Sequence, residues 1–228
     1  FTITVASPNR APVVNGYIPE QGATKNSPFR FTIPDGLFVD PDAGDHLTFS
    51  VSMSYGEWPA WLTFDAPTRT FSGTPAATDG GKVVRFVVRA TDTAGGWNAA
   101  EFSLFVNQPP ESRKTIAAQS FKQGSAWNYT VPAGTFVDDD AGEILTYSAS
   151  LSDGAALPAW LTFDAKTQSF KAGSNAPVGS YDIAIKVQDY WGASVSQRFS
   201  ITVQAGAITG TSRNDTLTGT SGNDTIDG

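Results

Sequence analysis

The sequence predicts an all-β chain folded as two tandem β-sandwiches, followed by a short tail of a different kind. Three observations carry this. Apolar runs are short, rich in β-branched and aromatic residues, and closely punctuated: the 228 residues include 22 Gly and 14 Pro, and few helix formers run together. A block of about a hundred residues occurs twice, which is the first thing to read in any chain that repeats. Within each copy, turn signals separate roughly seven short strands, the strand density of a two-sheet sandwich.

Taken in order, residues 1–10 read as the last strand and linker of a preceding domain. Phe1-Thr2-Ile3-Thr4-Val5 has the pattern of Phe102-Ser103-Leu104-Phe105-Val106 and Phe199-Ser200-Ile201-Thr202-Val203, so the segment is expected to be cut from a longer chain. The first complete domain is read as 11–107, with strands near 29–33, 46–53, 61–64, 69–73, 82–91 and 97–106. Its clearest strand is Lys82-Val83-Val84-Arg85-Phe86-Val87-Val88-Arg89-Ala90, which alternates as a half-buried strand does. The second domain is read as 108–205, where Ile183, Ile185 and Val187 share one face of a strand. Pro8-Asn9-Arg10-Ala11-Pro12 and Asn107-Gln108-Pro109-Pro110 are short, proline-stiffened linkers.

The two copies are tied by specific blocks. Pro59-Ala60-Trp61-Leu62-Thr63-Phe64-Asp65 returns as Pro158-Ala159-Trp160-Leu161-Thr162-Phe163-Asp164. The acidic loop Asp40-Pro41-Asp42-Ala43-Gly44-Asp45 returns as Asp138-Asp139-Asp140-Ala141-Gly142-Glu143, and Asp92 pairs with Asp189. Residues 206–228 form a linker and two nonapeptides, Gly210-Thr211-Ser212-Arg213-Asn214-Asp215-Thr216-Leu217-Thr218 and Gly219-Thr220-Ser221-Gly222-Asn223-Asp224-Thr225-Ile226-Asp227. Each places Asp sixth and an aliphatic eighth, the pattern of a Ca²⁺-binding β-roll turn.

Composition removes several function classes. A formal charge of −7 argues against nucleic acid and anionic membrane surfaces, where a basic footprint is expected. No run reaches the roughly 18 apolar residues of a membrane helix. With no cysteine there are neither disulfides nor thiolate metal sites. His46 is the sole histidine and Ile144 stands in its place in the second copy, so a catalytic triad has little to build on and no enzyme is expected. What the acidic loops do suit is Ca²⁺. It takes about six to eight hard oxygens, and crowded carboxylates in a Gly-containing turn supply them.

These residues carry two resemblances. The Pro-Ala-Trp-Leu-Thr-Phe-Asp block, the Phe71-Ser72-Gly73-Thr74-Pro75 turn and the Asp-x-Asp-x-Gly loop resemble dystroglycan-type cadherin-like domains, a bacterial Ig-like class, over residues 12–204. The resemblance implies cadherin/Ig-like Greek-key β-sandwiches with Ca²⁺ at each inter-domain junction. Carried over by motif, one junction uses Asn9, Asp40, Asp42 and Asp92, and the next uses Asn107, Asp138, Asp140 and Asp189. Asp45 and Glu143 stand beside them as further candidate ligands. The linkers lack the carboxylates of cadherin linkers, which favours a single ion per junction. The tail is similar to the start of an RTX repeat array, with Asp215 and Asp224 as its Ca²⁺ ligands; Thr211 and Arg213 replace the usual glycines, and two turns make the roll incomplete.

Together the resemblances imply a Ca²⁺-dependent, extracellular adhesion module of an RTX adhesin exported by bacterial type I secretion. The segment is then a monomeric part of a larger chain. The implied partners are protein or peptide ligands in the first place, with glycan binding or a purely structural spacer as the alternatives. Trp61 and Trp160 repeat in register and are read as core. Aromatics without a counterpart in the other copy are the candidate ligand surface: Tyr55, Trp58, Trp127 and Tyr190, with Trp97 and Trp191 beside the later aspartates.

Overall fold

The computed structural model describes residues 8–206, together with two two-residue strands, Ile208–Thr209 and Ile226–Asp227. It divides into two units at Gln108/Pro109. The nonapeptide aspartates Asp215 and Asp224, and the opening Phe1–Val5 segment, lie outside the described residues.

The first domain contains β1 (Val13–Val14), β2 (Gln21–Thr24), β3 (Phe29–Thr32), β4 (Phe38–Val39) and β5 (Thr48–Tyr55). It continues with β6 (Leu62–Asp65), β7 (Thr70–Gly73), β8 (Val83–Thr91) and β9 (Trp97–Asn107). One sheet runs β2-β9-β8-β5 and the other β3-β7-β6, with β1 and β4 as a separate pair. In β8 the burial alternates along the strand, placing Val84, Phe86, Val88 and Ala90 inside and Arg85 and Arg89 outside. That period-2 alternation is what makes one face of a strand a core surface.

Facing them from the second sheet are Leu62 and Phe71. Phe71, fully buried, touches Phe31, Phe64, Phe86 and Phe102 with ring centroids 4.7 to 6.2 Å apart. Such tilted and edge-on contacts add to the area that the rings bury.

The second domain repeats the plan with β10 (Glu111–Ser112), β11 (Gln119–Lys122), β12 (Trp127–Thr130), β13 (Phe136–Val137) and β14 (Thr146–Leu151). β15 (Leu161–Asp164), β16 (Ser169–Ala172), β17 (Gly179–Gln188) and β18 (Ser194–Gln204) complete it. Its sheets run β11-β18-β17-β14 and β12-β16-β15. Ile183, Ile185 and Val187 are fully buried on β17, and Phe170 takes the place of Phe71. In both domains the first long-sheet strand runs parallel to the last: β2 to β9 and β11 to β18.

Candidate functional site

The acidic loops follow two-residue strands that begin with a buried phenylalanine, Phe38 in β4 and Phe136 in β13, so their first aspartates start at the rim of a packed core. In the first domain Asp40 accepts a hydrogen bond from the Asp42 backbone N–H at 2.8 Å through Oδ1, closing an Asx turn. Its Oδ2 is buried and has no hydrogen-bond partner. The second domain reproduces both features: Asp138 Oδ1 accepts from the Asp140 N–H at 2.9 Å, and Asp138 Oδ2 is buried and orphaned. A buried carboxylate oxygen without a donor is costly, and native structures retain few of them.

Around Asp40 the fold gathers Asp45 and Asp92, with one carboxylate oxygen of each lying within 4.8 Å of the others. Asp92 is 5% exposed at the end of β8. Its Oδ1 accepts from the Ala94 and Gly96 N–H groups at 2.9 and 2.8 Å, and its Oδ2 accepts from Asn9 Nδ2 at 3.0 Å. Gly96 permits this: a Cβ there would lie 2.4 Å from Asp92 Oδ2. Asp45 is fixed by the Thr93 hydroxyl at 2.5 Å and by its own neighbour His46 at 2.9 Å. Those donors, Thr93 foremost, hold its carboxyl below the ordinary value.

Asp42 leaves this group. It faces Arg10, whose backbone N–H and Nε donate to it at 2.8 and 2.9 Å, and these contacts lower its pKa. The linker residue Arg10 thus occupies the carboxylate, first through its backbone N–H and then through its guanidinium. The first-domain cluster is therefore Asp40, Asp45 and Asp92 with Asn9 alongside.

In the second domain Arg113 pairs instead with Asp139, both oxygens at 2.8 Å, and Asp140 is buried. Asp138 is held above the ordinary carboxyl value, first by burial and then by the charges of Asp140, Asp189 and Glu143. Glu143 accepts from the Tyr190 N–H at 2.6 Å, just as Asp45 accepts from Thr93, and Asp189 accepts from Ala193 at 2.7 Å. Asn107, at the end of β9 in the first domain, is fully buried, and its carbonyl accepts from the Lys25 N–H at 2.9 Å.

The aromatic candidates separate. Tyr55 is 62% exposed and Trp58 38%, and both line one cavity of the first domain. Trp97 is exposed, with the Arg89 guanidinium 4.3 Å from its ring centre, a cation–π arrangement. Tyr190 is exposed and meets Trp191 edge-on at 5.2 Å. Trp127 is partly buried. It stands on β12 where the first domain has Phe29 on β3, and it stacks between Phe121 and Tyr129 against the core. Its role does recur in both copies, with a different aromatic. The contributions of Arg10, Thr93 and Gly96 escaped the sequence reading; the Gly95-Gly96 pair after Asp92 was the one available signal.

Fold and site define a class, tandem Ig-like β-sandwiches with an acidic loop at the rim of each. The chain belongs to the family described as Putative Ig domain, whose model matches residues 11–107 and 109–204. Among curated proteins it is similar to Axial budding pattern protein 2 of Saccharomyces cerevisiae, 25% identical over 246 residues. That match takes in 94% of this chain and 29% of the yeast protein, so the chain spans under a third of its relative.

Among solved structures, an endo-fucoidan hydrolase of glycoside hydrolase family 107 aligns at 21% identity and TM-score 0.43, covering 86% of this chain and 35% of that one. The titin I-band fragment I67–I69 aligns at 14% and 0.48, covering 90% and 72%. Drosophila N-cadherin EC1-4 aligns at 14% and 0.36, covering 85% and 50%. No helix among the described residues is long and apolar enough to cross a membrane.

Proposed function

We propose that the chain is a Ca²⁺-stiffened, non-enzymatic adhesion module of an extracellular protein, binding a protein, peptide or glycan partner outside the cell. The observation that carries the metal is the pair of buried, partnerless carboxylate oxygens at equivalent positions, Asp40 Oδ2 and Asp138 Oδ2, each set among further acids. The residues fit a hard cation: every donor is oxygen, and the loops are preformed by their own backbone hydrogen bonds. Asp40, Asp45 and Asp92 with Asn9 would hold the ion in the first domain, and Asp138, Asp140, Glu143 and Asp189 in the second. Bound Ca²⁺ would replace mutual repulsion with attraction and favour the folded state by linkage.

The nonapeptide tail supports an RTX-type parent secreted by the type I route. The test is calorimetric titration of the whole chain with Ca²⁺, repeated with Asp40→Asn and Asp138→Asn. Loss of a binding event in each variant is the expected result. A titration with no heat, or with heat untouched by either substitution, would overturn the metal assignment.

A further inference from the structure

The two domains differ at one place that the fold does not require. In the first, Tyr55 at the end of β5 and the following Gly56-Glu57-Trp58 line a cavity of about 560 Å³ together with Trp61, Val84, Asp79 and Lys82. In the second, the matching loop is Ser152-Asp153-Gly154-Ala155-Ala156-Leu157 and has no aromatic. Register shows what else changed. Val84 lies opposite Leu104 on β9, and Tyr181 lies opposite the equivalent Ile201 on β18, so Tyr181 is the counterpart of Val84. Tyr181 packs edge-on against Trp160, the counterpart of Trp61, at 4.8 Å, and its hydroxyl donates to the Pro177 carbonyl at 3.1 Å. The second domain thus plugs against its tryptophan; the first puts valine there and leaves space.

We infer that this first-domain cavity is a saccharide-binding subsite that takes a pyranose ring of a glycan chain. The inference rests on the adhesion reading above and names the ligand class for it. A pyranose has an apolar C–H face and a rim of hydroxyls, so it needs a flat aromatic wall with fixed polar groups beside it.

The cavity supplies both. Tyr55 and Trp58 offer partly exposed rings. Asp79 is locked as a carboxylate: Oδ1 accepts from Lys82 Nζ at 2.7 Å, Oδ2 accepts from the Ala76 N–H at 3.0 Å, and each oxygen keeps a lone pair for a hydroxyl. Lys82, largely exposed, retains further N–H donors.

A proline-rich peptide fits less well. Aromatic grooves for such peptides work on carbonyl acceptors as well as on rings, and the Trp58 indole N–H is already committed inward to the Leu62 carbonyl at 2.7 Å. Trp58 is also anchored edge-on to Phe86 at 5.2 Å, so the wall is preformed rather than assembled on binding. A pyranose therefore fits this cavity better than a proline-rich peptide does.

The experiment uses the whole chain in Ca²⁺, with hexasaccharides of glucose, galactose, mannose and xylose and a proline-rich decapeptide as probes, read by tryptophan fluorescence and calorimetry. At least one hexasaccharide is expected to bind. Val84→Tyr, which imports the second domain's own plug, is expected to abolish binding. Tyr55→Ala, at a 62% exposed position outside the core, is expected to weaken it at least tenfold. Failure of every hexasaccharide to bind, binding unchanged in both variants, or capture of the decapeptide alone would overturn the assignment.

The cavity opens at the start of β8 and the acidic cluster lies beyond its end, about 26 Å away for a strand of nine residues. Repeating the titration in chelator therefore separates the two readings. Saccharide binding by a chain indifferent to Ca²⁺ supports this subsite while removing the metal, and a Ca²⁺ response without saccharide binding does the reverse.

Discussion

Asp40→Asn should invert its effect on stability according to whether Ca²⁺ is present. Asparagine keeps the Oδ1 acceptor that closes the turn to the Asp42 N–H, and it removes a charge facing Asp92 with oxygens within 4.8 Å. At that separation two unit charges repel by about 0.9 kcal/mol in water and about 3.5 kcal/mol at an effective dielectric constant of 20. Asp92 is buried but Asp40 is only half-buried, so relief of about 1 kcal/mol is the sound expectation. For a domain of this size that is a melting temperature higher than wild type by roughly 4–8 °C in chelator.

In Ca²⁺ the order reverses. Extracellular modules bind the ion with Kd of about 10⁻⁴ to 10⁻³ M, so roughly 10 mM free Ca²⁺ stabilises the wild type by about 1.4–2.7 kcal/mol. That is a rise of roughly 6–20 °C, which the variant forgoes. Scanning calorimetry resolves the question if the two domains are fitted as separate transitions, with Asp138→Asn assigning the second. A variant less stable than wild type in chelator would refute the repulsion argument. A variant that keeps the full Ca²⁺ shift would refute the site.

Three further outcomes follow from particular contacts. Gly96→Ala should destabilise the first domain by about 1–3 kcal/mol, because the added Cβ meets Asp92 Oδ2 at 2.4 Å and Asn9 Nδ2 at 3.0 Å. Chemical denaturation measures it, and an unchanged midpoint would show that the carboxylate moves aside freely. Asp138 binds its proton more tightly in the fold than in the unfolded chain, so its stabilising contribution is present below about pH 3.8 and is lost as pH rises through the raised folded value. In chelator, Asp138→Asn should therefore gain on wild type in second-domain melting temperature between pH 3.5 and 7; a constant or shrinking difference contradicts this. Phe71→Ala should cost about 3–5 kcal/mol and unfold the first domain alone at moderate temperature, detected as loss of one calorimetric transition.

The strands that sequence revealed best are those whose side chains alternate between core and solvent. β8 was read as 82–91 and runs Val83–Thr91 because Val84, Phe86, Val88 and Ala90 must all point inward. β2 had no such signal: Gln21-Gly22-Ala23-Thr24 is specified by its parallel neighbour β9, a partner more than eighty residues away. The candidate site divides the same way. Asp40 and Asp92 were legible because the second copy repeats them as Asp138 and Asp189. The diversion of Asp42 was not, since it depends on where the linker carries Arg10. Matching identical residues between the copies leaves Trp127 without a counterpart, whereas the strand register gives it one in Phe29. The open cavity was invisible for a related reason, because it arises from a valine where the other copy has tyrosine.

The parallel pairing of β2 with β9 has a mechanical meaning. The chain enters the domain through β1, paired with β4, continues into β2 and leaves from β9, and Gln21 to Thr24 run alongside Leu104 to Asn107 in the same direction. Once the short β1–β4 pair has given way, tension applied to the two ends of the domain pulls β2 and β9 past each other along their length, so the ladder is sheared and its hydrogen bonds must fail together. An antiparallel terminal pair would instead unzip one bond at a time. β11 and β18 repeat the geometry in the second domain. Behind its short first strand, each sandwich thus carries a parallel strand pair that resists tension in shear.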